Sequence, residues 1–195
     1  MRQAAVTRTT RETDITLSLN LDGIGLFSGT SGIGFLDHML ELFARHALID
    51  LQLQCSGDRQ VDDHHSVEDL GLVLGDALAQ AAGDKRGITR YGFFLLPMDE
   101  ALVQCALDFS GRAYLAYDLS LPSQKVGEFD AALGEEFFRA VATRAGLTLH
   151  LTALRTGNAH HLLEAAFKAF ARALRAALTY DARLGNAVPS TKGVL

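Results

Sequence analysis

Cysteine, proline and long apolar runs are scarce in this sequence, and tryptophan is absent. The two cysteines, Cys55 and Cys105, stand singly in apolar, strand-like runs, which excludes a disulfide framework and a cysteine-rich tetrahedral metal site. No run approaches the roughly 20 apolar residues of a membrane-spanning helix, and residues 1–8 lack the apolar region of a signal peptide. We therefore expect a cytoplasmic protein without a membrane partner.

A large excess of one charge sign is also missing. The formal net charge is −5 over 195 residues, so we do not expect a general nucleic-acid-binding surface. With 48% hydrophobic residues, the chain can bury a normal core. No segment is rich enough in proline or serine to act as a linker. The sequence therefore predicts one unit over residues 1–195.

Histidine provides the most informative pattern, because four of the seven histidines form two doublets. The doublet at residues 64–65 is followed by Glu68, and 96 residues later the doublet at residues 160–161 is followed by Glu164. In a helix each glutamate lies one turn from its doublet. Imidazole and carboxylate together indicate a site for Mn, Fe, Zn, Co or Ni, and the spacing differs from the HExxH of zinc proteases.

Helix geometry also predicts how the ligands are divided. Adjacent residues point about 100° apart, so one doublet cannot easily supply both rings to one ion. We therefore predict two ions, each bound by residues of both doublets. In this interpretation one ion is bound by His64, Glu68 and His161, and the other by His160, Glu164 and His65.

The order of predicted elements repeats as well. Strand, strand, helix, strand and doublet helix occur twice, with lead helices at residues 35–43 and 135–145. Residues 29–34 are expected to be a flexible loop, and residues 123–127 are expected to be a loop as well. The pattern predicts an α+β fold with an internal duplication. Two similar sheet-plus-helix halves, residues 1–88 and 89–195, should face each other.

Four segments resemble a known family. They are residues 35–40 (FLDHML), 62–69 (DDHHSVED), 158–161 (NAHH) and 189–194 (PSTKGV). In this order and spacing they resemble the monofunctional form of imidazoleglycerol-phosphate dehydratase over nearly the whole chain. The resemblance implies two ribosomal protein S5 domain 2-like halves, with the helices packed between or against the sheets. It also implies dehydration of imidazole glycerol phosphate to imidazole acetol phosphate in histidine biosynthesis, two Mn²⁺ per active site, and shells of 24 subunits with the sites at subunit contacts.

Carried over by position, the resemblance implies four ligands for each metal ion. The first set is His38, His65, His160 and Glu164, and the second is His64, Glu68, His161 and Glu136. Some family members have histidine at position 136, but a carboxylate suits manganese at least as naturally. Glu135 is the alternative ligand, and an exposed acid near a helix start is the competing interpretation.

The remaining candidates concern proton transfer and the phosphate group. The resemblance places Glu12 in the site as proton shuttle, and Asp99 and Glu100 are weaker candidates for that role. The phosphate-binding positions of the family match Arg90, Arg112, Lys168, Ser190 and Lys192, and further substrate contacts are expected from Glu12, His38 and His46. Guanidinium groups bind phosphate oxygens in bidentate fashion.

The chemistry explains why such an enzyme would need metal ions. The hydrogen to be removed sits on a carbinol carbon and is barely acidic, and hydroxyl is a poor leaving group. A metal ion on a ring nitrogen lowers the cost of forming imidazolate. Imidazolate can expel the hydroxyl to give a diazafulvene, and loss of the neighbouring C–H gives an enol that becomes the ketone, with a side chain moving the proton.

Two other functions fit the same residues. A dinuclear metallohydrolase acting on a phosphate ester would use metal-bound hydroxide as its nucleophile and would release phosphate. A structural oligomer joined by metal ions would assemble in a metal-dependent way without turnover.

Overall fold

The computed structural model of the protein describes residues 2–195. The strands are β1 (Gln3–Thr9), β2 (Thr13–Asn20), β3 (Phe27–Thr30), β4 (Asp50–Gly57), β5 (Tyr91–Met98), β6 (Ala101–Asp108), β7 (Tyr114–Asp118), β8 (Lys125–Val126), β9 (Phe129–Asp130) and β10 (Thr148–Arg155). The helices are α1 (Gly34–Ala47), α2 (His64–Ala82), α3 (Leu133–Ala145) and α4 (Ala159–Leu178). Within the described residues, none of these helices combines the length and the apolar character needed to cross a membrane.

The two large sheets share one topology. Their strand orders are β1-β2-β4-β3 and β5-β6-β10-β7. In each sheet the first three strands are antiparallel, and the last edge strand runs parallel to its neighbour. Each half also contributes two helices in the same chain order. The predicted α+β fold of two matching sheet-plus-helix halves is therefore confirmed.

Alternating side chains give each sheet one buried face. In β2 the inward residues run from Thr13 to Leu19, and in β6 from Ala101 to Leu107, while the residues between them are partly or fully exposed. Cys105 is one of the inward residues of β6, and burial raises its pKa. Burial also raises the pKa of Cys55 to about 11. Both thiols are therefore packing residues with little thiolate character.

The helices lie between the two sheets. Helix α2 packs on β1 and β2, α4 packs on β5 and β6, and the halves meet where α2 contacts α3 and α1 contacts α4. The rings of Phe43 and Phe170 stack across this junction with centroids 5.7 Å apart. Small residues allow α2 and α3 to approach closely. A Cβ at Gly71 would lie 2.8 Å from the carbonyl oxygen of Phe137.

Two segments differ from the sequence prediction. The expectation of a loop over residues 29–34 was wrong at its start, because residues 27–30 form the edge strand β3. This strand has only four residues and is recognisable through its parallel pairing with β4 rather than through its own pattern. The expected loop at residues 123–127 contains the first strand of a small hairpin, β8–β9. The first half has only residues 31–33 at the equivalent place.

Candidate metal and substrate site

The histidine doublets lie in the first turns of α2 and α4. The two turns are built alike, because an Asx side chain two residues earlier accepts a hydrogen bond from the backbone N–H of the first histidine. Asp62 accepts from His64 at 2.8 Å, and Asn158 accepts from His160 at 2.8 Å. Each first histidine then faces the glutamate one turn below it on its own helix.

One compact ligand group joins the two halves. His38, from α1, has Nε2 3.4 Å from Oε2 of Glu164, and His160 Nε2 lies 3.1 Å from the same oxygen. The three ligand atoms lie within 4.8 Å of one another. Lys168 donates to the other oxygen of Glu164, and the ring of Phe35 meets His160 edge-on, with centroids 5.3 Å apart.

Glu164 is held in its ionised form. The side chain is buried, which by itself would raise its pKa, but the hydrogen bond and charge of Lys168 and the hydrogen bond to His160 outweigh burial and lower the pKa. Two imidazoles and one ionised carboxylate form a donor set that fits a divalent cation such as Mn²⁺. His38, His160 and Glu164 are thus well suited to hold such an ion.

The second predicted ligand set is more open. His64 Nε2 lies 3.6 Å from Oε2 of Glu68, and both side chains are nearly half exposed. Glu136, on α3, lines one cavity together with His64. Its carboxylate lies 3.8 Å from Nε of Arg139, which also pairs with Glu135. Of the two acids, Glu136 lines the cavity that His64 also lines, and Glu135 does not.

The second histidine of each doublet turns away from these groups. The rings of His64 and His65 are inclined at 87°, and those of His160 and His161 at 84°. Two compact ligand groups occur among residues 2–195, and the one described above lacks His65, while the other contains His161 without the histidine and glutamate of α2. The four-residue sets predicted for each ion are therefore not brought together within one chain.

The side chains around His65 include the first candidate for proton transfer. Its Nδ1 lies 3.1 Å from both carboxylate oxygens of Asp58, and its Nε2 lies 3.8 Å from Oε1 of Glu12. Glu12 is exposed in the turn between β1 and β2. The hydrogen bond that His65 donates to Asp58 is the main cause of the raised pKa of His65.

His161 has a similar acidic environment. Its Nδ1 lies 3.0 and 3.2 Å from the two oxygens of Glu100 and 4.0 Å from Asp99, which is mostly exposed. The hydrogen bond to Glu100 raises the pKa of His161. The pKa of Glu100 falls to about 2, chiefly because it accepts from the backbone N–H of Asn158 and then because of His161.

The arginine candidates for phosphate binding meet at Asp108. Arg90 is buried and donates to both oxygens of this carboxylate, at 2.6 and 2.9 Å, and Arg112 reaches it at 3.5 Å. The third donor of Arg90 binds the carbonyl oxygen of Pro189 at 2.8 Å. The structure thus brings the segment of Ser190 to Arg90. Asp108 is the main cause of the raised pKa of Arg90.

The remaining cationic candidates lie in two different places. Lys192, beyond Ser190, is exposed and donates its backbone N–H to the Ser190 hydroxyl at 3.2 Å. Lys168 lies with the metal-ligand group instead. Burial and then the charges of Lys168 and Arg172 lower the pKa of His46.

The metal-ligand and arginine groups lie at opposite ends of α4. The backbone N–H of Arg90 donates to Ala177 at the C-terminal end of the helix, whereas His160 lies at its start. A rise of 1.5 Å per residue over 17 residues separates them by about 25 Å. Within one chain the two groups cannot contact one small molecule.

Sequence reasoning missed some residues that shape the site. Asp58 follows β4 in an ordinary turn signal, and no sequence feature distinguishes it from a solvated acid. Asp108 lies opposite Tyr91 in the pairing of β5 with β6, and this register brings it to Arg90. Phe35 is an apolar residue of α1, and its contact with His160 depends on how the halves pack.

Comparisons with known proteins agree over the whole chain. The sequence model of the family described as imidazoleglycerol-phosphate dehydratase matches residues 31–174. Proteins of that name from Dinoroseobacter shibae and Jannaschia sp. are 60% and 58% identical over 195 residues, covering 100% of each chain. The crystal structure of the Staphylococcus aureus dehydratase is 44% identical with a TM-score of 0.84, covering 92% of this chain and 99% of that one. The Pyrococcus furiosus structure is 36% identical with a TM-score of 0.83, covering 97% and 100%.

Proposed function

This chain belongs to the imidazoleglycerol-phosphate dehydratase family, and from this membership and the ligand geometry we propose that two divalent cations, best matched by Mn²⁺, support its reaction. The chain is a hydro-lyase of histidine biosynthesis. The observation that carries the metal proposal is the convergence of His38, His160 and Glu164 within 4.8 Å. Three ligands of this kind leave coordination positions for a fourth ligand and for substrate.

The fourth ligand of each ion comes from another copy of the chain. The second doublet histidines, His65 and His161, have Nδ1 occupied by carboxylates of their own chain, while Nε2 remains for an external ion. His65 would join the group containing Glu164, and His161 would join the group containing Glu68 and Glu136. Self-association, with the family's shell of 24 subunits as the expected form, is part of this proposal.

The position of the phosphate-binding residues supports the same arrangement. Imidazole glycerol phosphate carries its ring and its phosphate on one three-carbon chain, far shorter than the roughly 25 Å between the two ends of α4. A site that binds both groups therefore combines the ligand end of one copy with Arg90, Arg112 and the tail of another. The tail contributes Ser190 and Lys192.

Each residue has a defined chemical task in the reaction. A divalent cation held by His38, His160 and Glu164 would supply a Lewis acid that eases loss of the ring proton. The carboxylate of Glu12 would pass the ring proton to the departing hydroxyl, which leaves as water. It would then move the proton of the carbinol carbon back to the ring, and the resulting enol becomes the ketone. Asp99 is the second candidate for moving this proton. Lys168 keeps Glu164 ionised and faces the substrate phosphate.

Metal analysis combined with a specific assay tests the proposal. Protein purified without chelator should contain close to two ions per chain, and EDTA should remove both the ions and turnover of imidazole glycerol phosphate, with Mn²⁺ restoring them. Two ions with phosphate release would instead indicate a hydrolase. Two ions with metal-dependent assembly and no turnover would indicate a structural oligomer, and absence of restorable metal would reject the proposal.

A matched pair of histidine variants sharpens this test. His160→Ala should lose one ion per chain, whereas His150→Ala, on β10 and outside every ligand group, should keep both. Equal metal content in the two variants would contradict the assignment of His160.

A further inference from the structure

The second histidines of the two doublets have the same chemical environment in both halves. His65 Nδ1 lies 3.1 Å from each oxygen of Asp58, and His161 Nδ1 lies 3.0 and 3.2 Å from the oxygens of Glu100. The ring centroids within each doublet are 6.2 Å apart in both cases. The second histidine of each half is thus paired with a carboxylate through Nδ1.

This pairing determines which nitrogen of the ring is free. An ionised carboxylate is only an acceptor, so Nδ1 of each histidine must carry the proton. In the neutral imidazole the lone pair then lies on Nε2. A hydrogen bond of this kind fixes the tautomer and the ring orientation of a metal-binding histidine.

The carboxylates come from different places in the two halves. Asp58 directly follows β4, whereas Glu100 lies in the turn between β5 and β6. That turn corresponds to the β1–β2 turn of the first half, where the acid is Glu12. Glu12 lies near the other ring nitrogen of His65, with its Oε1 3.8 Å from Nε2. Because Asp58 already occupies Nδ1, the acid of the first turn is left free for chemistry.

Glu100 is itself firmly placed. Its carboxylate accepts from the backbone N–H of Asn158 at 2.6 Å, so it contacts the residue that caps α4 as well as His161. A Cβ at Gly157 would lie 2.2 Å from Cγ of Glu100, so glycine allows this close approach. The side chain therefore joins the β5–β6 turn to the helix that carries the doublet.

We propose that Glu100 and Asp58 are positioning residues that hold His161 and His65 in the Nδ1–H tautomer and direct Nε2 toward a cation bound by another copy of the chain. The inference rests on the proposed function, since it concerns ligands of the proposed ions. It adds that each ion has its own orienting carboxylate. Disturbing one carboxylate should weaken one ion and leave the other unchanged.

Stepwise Co²⁺ titration of the metal-free assembly measures this directly, because the visible absorption of bound Co²⁺ reports both occupancy and coordination number. Glu100→Ala should weaken one of the two ions per chain about 10–100-fold, and Glu100→Gln, which keeps an acceptor oxygen, should weaken it less. Asp58→Asn should weaken the other ion, so that the double variant weakens both. The saturated spectra should match that of the unaltered protein.

Several outcomes would overturn the positioning role. Unchanged Co²⁺ affinity in Glu100→Ala would exclude the role. A saturated spectrum that shows one ligand fewer would also exclude it, because Glu100 would then be a ligand itself. Equal weakening of both ions by Glu100→Ala would indicate general loosening of the start of α4. Asp84→Asn, which removes an exposed carboxylate bound to Arg86, is the control and should bind both ions normally. Failure of the unaltered protein to bind two Co²⁺ would reject the proposed function itself.

Discussion

His38 and Glu164 approach to 3.4 Å although they belong to different halves of the fold. The contact depends on α1 packing against α4, so the ligand group exists only when the two halves are docked. Glu164 is buried and accepts a hydrogen bond from Lys168. Its carboxylate is therefore part of the packed interior rather than of the exposed surface.

Replacing Glu164 should therefore remove one ion without unfolding the protein. Glu164→Gln keeps the size of the side chain but removes the charge, and we expect one ion fewer per chain and a loss of turnover of at least about 100-fold, since even outer partners of ligands are worth 10–100-fold. Metal analysis and the dehydratase assay measure both effects. Glu41→Gln, on an exposed position of α1, should change neither. Full metal content in Glu164→Gln would contradict its role as a ligand.

Asp108 should affect substrate binding more than the chemical step. Asp108→Asn breaks the paired hydrogen bonds that orient Arg90, and we expect KM to rise roughly tenfold or more with a smaller change in kcat, because a charge-assisted hydrogen bond is worth about 1.5–3 kcal/mol. Steady-state kinetics measure KM and kcat separately. A change confined to kcat would place Asp108 in the chemistry instead.

The control for this variant is a similar pair elsewhere in the fold. Asp76 accepts two hydrogen bonds from Arg144, both at 2.8 Å, between α2 and α3. Asp76→Asn loses the same type of pair but lies away from the candidate phosphate residues. It should lower stability and leave KM unchanged.

The architecture was predictable because its signals are local and repeated. Alternation along β2 and β6 and the helical spacing after each doublet identify the elements, and their repetition predicts two matching halves. Strand β3 escaped prediction because four residues with a central glycine become a strand only through their pairing with β4. The hairpin β8–β9 has no counterpart in the first half, so the repeat offered no guide to it.

The sequence predicted candidate site residues but not which of them lie together within one chain. Helix geometry correctly separated the two histidines of a doublet, but sequence spacing does not say whether two rings meet in one chain or between copies. The contacts of His161 with Glu100 and of Arg90 with Asp108 depend on turns and pairings that only the folded chain defines. Sequence therefore gives the candidates, and the structure shows which of them share a contact.

The close contact of α2 and α3 predicts that a larger side chain at Gly71 lowers the free energy of unfolding. Gly71→Ala would place a Cβ 2.8 Å from the carbonyl oxygen of Phe137 and 2.8 Å from the Cβ of Ala140. The backbone of α3 cannot shift without disturbing its packing. We therefore expect a loss of about 1–3 kcal/mol in the free energy of unfolding. Gly34→Ala, at the start of α1 with nothing within 4 Å, is the control and should be neutral or slightly stabilising. Equal urea midpoints for the two variants would contradict the packing argument.

The hydrogen bonds that Asp50 accepts predict how the free energy of unfolding depends on pH. Its Oδ1 accepts the backbone N–H groups of Ile24, Gly25 and Leu26 at 2.9, 3.1 and 3.0 Å. These bonds, led by those of Leu26 and Ile24, lower the pKa of Asp50 below its usual 3.8, although burial opposes them. The folded state therefore binds this proton less readily than the unfolded state.

The sign of the pH effect follows from linkage. A carboxyl with a lowered folded pKa adds stability that is fully present above its unfolded pKa and is lost as pH falls through the folded value. Asp50→Asn keeps an acceptor but removes the charge, so the metal-free variant should be less stable at pH 5–7 by about 1 kcal/mol or less, since solvent screens a partly exposed carboxylate. Urea unfolding at fixed protein concentration, repeated below pH 4, should show the difference between the two proteins shrinking. A difference that is unchanged at pH 3 would mean that the charge of Asp50 is not its source.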